Sequence, residues 1–227
     1  MNSEDIRSKD TWVVFKIMGE FVEGFETLRP VWPAVSIFGS ARAPRRSRYY
    51  KDTVEIASML SHAGFSIITG GGPGIMEAAN KGADVAGGRS IGLSIKLPFE
   101  QTTNEFVHTS VDFNYFFARK VMFVKYACGF VGIPGGFGTL DEIFEALTLM
   151  QTKKIHDFPV VLYGSDYWNG LLQWLQDGPL KERMISRKDL QLFKITDDKE
   201  ELVEIMQRRY VRRQRSSRHQ AGGHDTP

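Results

Sequence analysis

Two glycine-rich segments constrain the fold of this chain more than any other feature. The first is Gly70-Gly-Gly-Pro-Gly74 and the second is Pro134-Gly-Gly-Phe-Gly-Thr139. Each follows a short apolar run typical of a buried strand and precedes a run in which apolar residues recur at helical spacing. Glycines at a strand-to-helix turn accept positive φ angles and allow a ligand to approach the backbone closely. The two segments therefore predict an α/β fold with a ligand site at one edge of its sheet.

The alternation of strand and helix extends over most of the chain. The predicted strands are 34–38, 65–69, 90–95, 130–133, 159–163 and 192–195, and the predicted helices are 50–62, 75–85, 113–127, the second glycine-rich turn to about 152, 167–176 and a last one from 199. Most of these strands are continuous apolar runs, which is typical of parallel strands buried on both faces. The pattern predicts a single-domain, Rossmann-like, doubly wound parallel sheet with helices on both faces.

The two ends of the chain stand outside this alternation. Residues 1–30 form a predicted helical segment, residues 31–206 the Rossmann-like core, and residues 207–227 a basic, disordered tail. The helical segment has a broad apolar face, which predicts packing on the core or on a second subunit. Six arginines fall between Arg208 and Arg218. We interpret them as a solvated helix end rather than a nucleic-acid contact, because no aromatic platform or nucleic-acid motif accompanies them.

Composition excludes several classes of protein. The 227 residues carry a net charge of +2 and contain no apolar run of about 18 residues, so no membrane span is expected. The polar N-terminus does not resemble a secretory signal. The single cysteine, Cys128, cannot form an intrachain disulfide. No His, Cys and carboxylate cluster has metal-ligand spacing. We therefore expect a cytoplasmic protein with no metal, no cofactor, no membrane contact and no nucleic-acid partner.

The second glycine-rich turn is a candidate anion site. It lacks the Gly-Lys-Ser/Thr of a Walker loop, and neither turn matches the dinucleotide fingerprint. The free N–H groups at a helix start point at an anion, and the hydroxyl of Thr139 adds a donor. Glu142 lies one turn further along the predicted helix. Its placement has two interpretations, either a favourable position near the positive end of the helix dipole or a catalytic role beside a bound phosphate.

The predicted helix 113–127 presents a second anomaly. Bulky apolar side chains surround it almost completely, so we expect it to be largely buried. Arg119 and Lys120 interrupt the apolar sequence, and a buried cation requires an anionic partner. That partner is either a structural carboxylate or a bound phosphate with its catalytic groups.

Taken together, these segments resemble the motifs of the cytokinin-activating phosphoribohydrolase family known as LOG. Pro134 to Glu142 matches the family signature P-G-G-x-G-T-x-x-E in full, and Gly70 to Glu77 resembles the family's first motif. Arg119-Lys120 matches the Arg-Lys pair on the preceding helix. The resemblance extends from about Val35 to Asp197. It implies hydrolysis of the N-glycosidic bond of AMP or an N6-substituted cytokinin nucleotide, with free base and ribose 5-phosphate as products. It also implies a homodimer or a larger homo-oligomer.

The resemblance also implies roles for particular residues. Glu142 and Arg119 would be the catalytic pair. The implied substrate-binding residues are Gly135, Gly136, Gly138, Thr139, Lys120, Glu100, Thr148, Gly71, Gly72 and Glu77. A carboxylate suits this chemistry because it stabilises the positive charge that develops at C1′ and orients or deprotonates the attacking water. Whether Arg119 acts on the phosphate or on Glu142 stays open.

The sequence also leaves other substrates and functions open. Asp141 and Glu77 occupy positions at which plant members of the family differ, so plain AMP is as good a candidate substrate as a cytokinin nucleotide. A non-catalytic nucleotide-binding or molybdenum-cofactor carrier on the same fold is the main alternative function. A nicotinamide-dependent oxidoreductase is a weaker one, since the fingerprint is absent. The label lysine decarboxylase, often given to family members, is rejected because no lysine has a setting recognisable for pyridoxal phosphate.

Overall fold

The computed structural model describes the backbone of residues 3–96, 102–156 and 158–221, and the side chains of residues 11–96, 102–156 and 158–211. Seven strands in these ranges form one sheet, and every neighbouring pair is parallel. They are β1 (Ala34–Phe38), β2 (Ser66–Thr69), β3 (Ser90–Ile95), β4 (Thr109–Phe113), β5 (Phe130–Gly132), β6 (Val160–Tyr163) and β7 (Phe193–Thr196). Their order across the sheet is β4-β3-β2-β1-β5-β6-β7. The predicted parallel α/β sheet is confirmed.

Helices cover both faces of this sheet, as the sequence predicts. They are α1 (Ser3–Leu28), α2 (Arg48–His62), α3 (Ile75–Val85), α4 (Phe116–Tyr126), α5 (Phe137–Gln151), α6 (Ser165–Leu175) and α7 (Lys199–Ala221). Two apolar cores hold them to the sheet. Helices α2, α3 and α7 contribute residues such as Ile56 and Leu202 to one core. Helices α4, α5 and α6 contribute residues such as Phe123 and Ile143 to the other.

The segment that leads into α4 differs from the sequence-based prediction. Thr109–Phe113 is strand β4, which pairs with β3 so that Ile95 lies opposite Phe113. Helix α4 therefore begins at Phe116, and its predicted start at Phe113 is wrong. Strand β4 lies at the edge of the sheet and alternates exposed with buried residues. Such a strand carries no continuous apolar run, so it escaped a search for buried strands.

Helix α4 is buried on one side only. Met122 and Phe123 lie in the core, whereas Phe116, Phe117 and Val121 are 41 to 52% exposed. The expectation of a largely buried helix is therefore wrong. Apolar residues do surround the helix, but the sheet covers one side of it and the described residues leave the opposite side open.

Helix α1 packs on the main domain through a buried carboxylate. Glu20 accepts hydrogen bonds from the backbone N–H of Asn114 at 2.9 Å and from its side-chain amide at 2.7 Å. This contact fixes α1 beside the turn between β4 and α4. The outward face of α1 exposes Trp12, Phe15, Met18 and Val22. No helix in the described ranges is long and apolar enough to cross a membrane.

Helix α7 extends further than the sequence indicates. It continues to Ala221, past residue 207, where the sequence predicts the start of a tail. Leu202 and Met206 bury its first turns in the core. Arginine is a good helix former, so the arginine-rich segment contains nothing that ends the helix. Residues 222–227 lie outside the described residues.

Candidate active site

A cavity of about 640 Å³ opens at the carboxyl edge of the sheet. It lies beside β1, where the strand order reverses between β2 on one side and β5 on the other. Ligands of open α/β sheets bind at such a switch point, and the volume is typical of small-molecule sites. The lining comprises residues 38–42 after β1, Gly70 and Met76 near the first glycine-rich turn, residues 136–139 and Glu142 of the second turn and α5, and Arg119 and Phe123 of α4.

The second glycine-rich turn is anchored at one end and open at the other. A Cβ atom at Gly135 would lie 2.9 Å from the backbone nitrogen of Ser40, so close packing requires glycine there. The hydroxyl of Tyr167 also donates to the carbonyl of Gly135 at 2.6 Å. At Gly136 and Gly138 a Cβ atom would meet no described atom within 4 Å. These two glycines therefore leave room at the N-terminus of α5, where N–H groups attract an anion.

Glu142 is the acidic residue of this cavity. Its side chain is 5% exposed, and it follows Thr139 by one helical turn on the same side of α5. Burial raises the pKa of its carboxyl to about 7, although Arg119 and Lys120 act to lower it. A carboxyl with that pKa is divided between its protonated and ionised forms at neutral pH. It is therefore suited to proton transfer.

Arg119 faces Glu142 from α4. Its Nη2 atom lies 3.8 Å from Oε1 of Glu142, and its guanidinium lies over the rings of Phe116 and Phe123 at 5.3 and 5.6 Å. Burial lowers the pKa of Arg119, and the Glu142 carboxylate opposes that effect. Among the described residues Nε of Arg119 has no hydrogen-bond partner. The cation thus has a carboxylate neighbour, which is one of the two kinds of partner that the sequence left open, and among the described residues its Nε donor is not used.

The first glycine-rich turn contributes less to the cavity. Gly70 lines it, whereas Gly71 and Gly72 line a separate small cleft. The carbonyl oxygens of Gly71 and Gly72 each accept a hydrogen bond from the side-chain amide of Asn104 at 3.0 Å. The carbonyl groups of this turn are therefore bound by the loop that contains Asn104.

Glu77, which follows the first turn, is held by protein groups. It accepts a hydrogen bond from the Tyr50 hydroxyl at 2.6 Å and pairs with Nε of Arg45 at 2.6 Å. Burial alone would raise the pKa of Glu77, but the bonds from Tyr50 and Arg45 hold it below its ordinary value. Glu77 lines a groove distinct from the cavity of Glu142. The structure thus does not bring Glu77, Gly71 and Gly72 together with the second turn.

Lys120 and Thr148 also lie apart from the cavity of Glu142. Both line a shallow groove on a neighbouring side of α5. The Lys120 ammonium lies 2.8 Å from a carboxylate oxygen of Asp141 and 2.7 Å from one of Glu145. Its charge still acts on Glu142 from that position. Glu100 lies outside the described residues.

The loop after β1 supplies cavity residues that the sequence analysis missed. The backbone N–H of Ser40 donates to the carbonyl of Pro134 at 3.1 Å. The carbonyl of Ser40 accepts a hydrogen bond from the N–H of Ile75 at 3.0 Å. The loop is therefore held between the starts of α5 and α3, and Arg42 lines the cavity. The available signal was Gly39-Ser40 at the end of the first strand. The position of that strand at the centre of the sheet could not be read from its own residues.

The charges of the cavity favour an anionic ligand. Its charged lining residues in the described ranges are Arg42, Arg119 and Glu142, two cations less one anion when Glu142 is ionised. None of the described lining residues is a lysine, so they offer no amine for a Schiff base with pyridoxal phosphate. Among the residues that the structure describes, no group of three or more His, Cys, Asp and Glu side chains is placed to hold a metal ion.

Comparison with known proteins gives this site a family context. A family model described as "Possible lysine decarboxylase" matches residues 76–206, which contain Arg119 and Glu142. "Cytokinin riboside 5'-monophosphate phosphoribohydrolase LOG3" from Arabidopsis thaliana is 28% identical over 193 residues, which cover 82% of this chain and 87% of that protein. The corresponding LOG1 from the same plant is 30% identical over 155 residues, with coverages of 67% and 72%.

A solved structure shares the fold. The "Moco Carrier Protein from Chlamydomonas reinhardtii" superposes with a TM-score of 0.57 at 22% identity, covering 79% of this chain and 98% of that chain. At this identity the similarity shows the fold alone. Because one fold hosts several functions, the residues of the site have to decide between them.

Proposed function

This chain belongs to the family described as possible lysine decarboxylases. From its similarity to the LOG phosphoribohydrolases and from the geometry of the cavity, we propose that it hydrolyses the N-glycosidic bond of purine nucleoside 5′-monophosphates. The products are the free base and ribose 5-phosphate. The observation that carries the proposal is the buried carboxyl of Glu142, which lies 3.8 Å from Arg119 and lines the same cavity as the N-terminus of α5.

In this proposal the 5′-phosphate lies at the N-terminus of α5. Gly136 and Gly138 leave room for it, and the hydroxyl of Thr139 adds a donor. Backbone N–H groups and the helix dipole favour a negative charge at that position. The excess of one positive charge among the described lining residues acts in the same direction.

Glu142 acts on the ribose. Cleavage of the bond between ribose and base develops positive charge at C1′, which an ionised carboxylate stabilises. The same carboxylate orients the attacking water and accepts its proton. The water oxygen bonds to C1′ as the bond to the base breaks, and the base leaves with that electron pair and takes up one proton. Arg119 acts on Glu142, because its charge favours the ionised form against the effect of burial.

We propose AMP and N6-substituted AMP as the substrates. The curated relatives at 28 and 30% identity are named for cytokinin riboside 5′-monophosphates. Asp141 and Glu77 depart from the plant pattern, so AMP is as good a candidate as a cytokinin nucleotide. A comparison of rates on both nucleotides ranks the two.

The alternative is a non-catalytic carrier of a nucleotide or of the molybdenum cofactor. It is supported by the fold similarity to the carrier protein of Chlamydomonas. The pairing of a buried glutamate with a buried arginine favours the hydrolase, since a carrier of an anion gains nothing from a carboxylate beside its ligand.

We also propose that the protein forms a homodimer or a larger homo-oligomer. The neighbouring helices α1 and α4 expose Trp12, Phe15, Met18, Phe116 and Phe117. Large exposed apolar patches commonly mark contacts between proteins. Sedimentation equilibrium measures the mass directly, and a monomer at micromolar concentration would exclude this part of the proposal.

The test of the proposed activity is release of free base from AMP and from isopentenyladenosine monophosphate. Wild-type protein is compared with Glu142→Gln and with Asp141→Asn. The second variant is a matched control, because Asp141 is the preceding residue of α5, is exposed and does not line the cavity. We expect wild type and Asp141→Asn to release base and Glu142→Gln to release almost none. Binding of AMP without base release by wild type would favour the carrier.

A further inference from the structure

Arg42 is a residue of the cavity that the proposed function leaves without a role. It lies on the loop after β1 and lines the cavity together with Arg119 and Glu142. Its backbone N–H donates to the side-chain oxygen of Ser40 at 3.1 Å. Because Ser40 is itself bound to Pro134 and Ile75, the backbone position of Arg42 is fixed relative to both helix starts.

The arginines of this loop and of the first position of α2 differ in their partners. Arg45 pairs with Glu77 at 2.6 Å, and Arg48 pairs with Asp52 at 3.3 Å. Arg42 and Arg46 have no ion-pair partner within the ranges that the structure describes. Of these two, Arg42 lines the cavity and Arg46 does not. Arg42 is therefore an exposed lining residue whose cation has no carboxylate partner among the described residues.

The charges of the cavity and of the proposed substrate indicate what Arg42 could bind. Arg119 faces Glu142, so their charges cancel when Glu142 is ionised. The phosphate of a nucleoside monophosphate carries between one and two negative charges at neutral pH, roughly as a phosphorylated side chain does. Beside an ionised carboxylate such a ligand is repelled unless a further positive charge compensates it. Arg42 is the further cation among the described lining residues.

We propose that Arg42 binds the 5′-phosphate of the substrate directly, together with the N-terminus of α5. The inference rests on the proposed function, because it takes the phosphate to be that of a nucleoside monophosphate. The planar guanidinium presents paired donors that match two phosphate oxygens. The loop that carries it approaches the second glycine-rich turn closely, since Ser40 packs against Gly135.

The experiment uses the full chain as wild type, Arg42→Gln and Arg46→Gln. Arg46→Gln is the matched control, because it removes the same charge from the same loop outside the cavity. Calorimetry measures the affinity for ribose 5-phosphate and for adenosine, and steady-state assays give KM and kcat for AMP. We expect Arg42→Gln to weaken ribose 5-phosphate binding and raise KM about 10-fold or more, the usual effect of losing a charge-assisted contact. Adenosine affinity stays unchanged in both variants.

Each outcome decides between the inference and the function on which it rests. If wild type hydrolyses AMP and the two variants bind ribose 5-phosphate equally well, the inference is overturned and the proposed function stands. If Arg42→Gln loses affinity for adenosine as well, the loop itself is disturbed and the phosphate contact is also rejected. If wild type neither binds ribose 5-phosphate nor hydrolyses AMP, the proposed function fails.

Discussion

The turn at residues 70–74 and the turn at residues 134–139 both begin a helix, and each is followed by a buried glutamate. Hydrogen bonds from Tyr50 and Arg45 hold the pKa of Glu77 below its ordinary value. Burial instead raises the pKa of Glu142 to about 7. A buried carboxylate with satisfied hydrogen bonds stabilises the fold, whereas Glu142, which faces the Arg119 cation at 3.8 Å, is the carboxyl that we propose for the chemistry.

The glycines of the two turns differ in the same way. Gly74 has a φ of +68°, and a Cβ atom there would lie 2.7 Å from the carbonyl carbon of Ala41. Gly138 has no described atom within 4 Å of such a position. The first turn is thus a tight joint between loops, while the second leaves space at a helix N-terminus. A glycine-rich turn is therefore a candidate ligand site where its space is not filled by the protein.

The largest expected difference concerns the arginines paired with the two glutamates. We expect Arg119→Gln to lower kcat/KM for AMP about 100-fold, the typical effect of removing one preorganised charge from an active site. Arg45→Gln is the matched variant, because it removes the partner of Glu77 outside the cavity. We expect it to change kcat/KM less than about threefold on the same reasoning. Equal losses in both variants would show that the two turns are not functionally distinct.

The second expected difference is in how stability depends on pH. The pKa of the Glu142 carboxyl is about 7 in the folded state, against an ordinary value of 4.5. Between these values the folded state binds more protons than the unfolded state, so the wild type loses stability as pH rises. The total loss is on the order of 3 kcal/mol. Glu142→Gln lacks this loss, so its melting temperature relative to wild type should increase from pH 4.5 to 7.

Glu77 should show the opposite dependence. Its pKa is lowered in the folded state, so its contribution to stability is present above its unfolded value and is lost as pH falls below it. The advantage of wild type over Glu77→Gln should therefore shrink in acid. Thermal melts of both variants from pH 3 to 8 measure the two trends together. Trends of the same sign would contradict the assignment of different roles.

The smallest expected effects come from the glycines. Gly74→Ala should cost about 1–3 kcal/mol of stability, because it combines a positive φ with a close backbone contact. Gly138→Ala should change stability by less than about 1 kcal/mol and yet weaken ribose 5-phosphate binding severalfold, because its methyl group occupies the open space. Chemical denaturation and calorimetry on both variants test this. Loss of stability in Gly138→Ala with unchanged binding would reverse the assignment.

The sequence predicted most of the fold because the central strands carry continuous apolar runs. Strand β4 was missed because an edge strand alternates buried and exposed residues. The burial of α4 was overestimated because Phe116 and Phe117 are about half exposed. An apolar composition all round a helix does not reveal which side the fold leaves uncovered.

The sequence identified the second turn, Arg119 and Glu142 as a unit, and the structure places them around one cavity. The sequence did not indicate that Glu77 lies in a different groove from Glu142. The separating groups, Tyr50 and Arg45, lie 27 and 32 residues before Glu77 in the chain, and only the packing of α2 against α3 brings them close. Arg42 was missed for a similar reason, since its role depends on which neighbouring arginines already have partners.

The role of Glu142 is tested most directly by measuring AMP binding and AMP hydrolysis on the same preparation of Glu142→Gln. We expect the variant to bind AMP at least as tightly as wild type, because the neutral amide no longer repels the phosphate. We also expect adenine release to fall about 10²- to 10⁴-fold, the range expected when a general base is removed. Hydrolysis at the wild-type rate, or binding and turnover that fall by the same factor, would contradict the assignment of Glu142 to the chemical step.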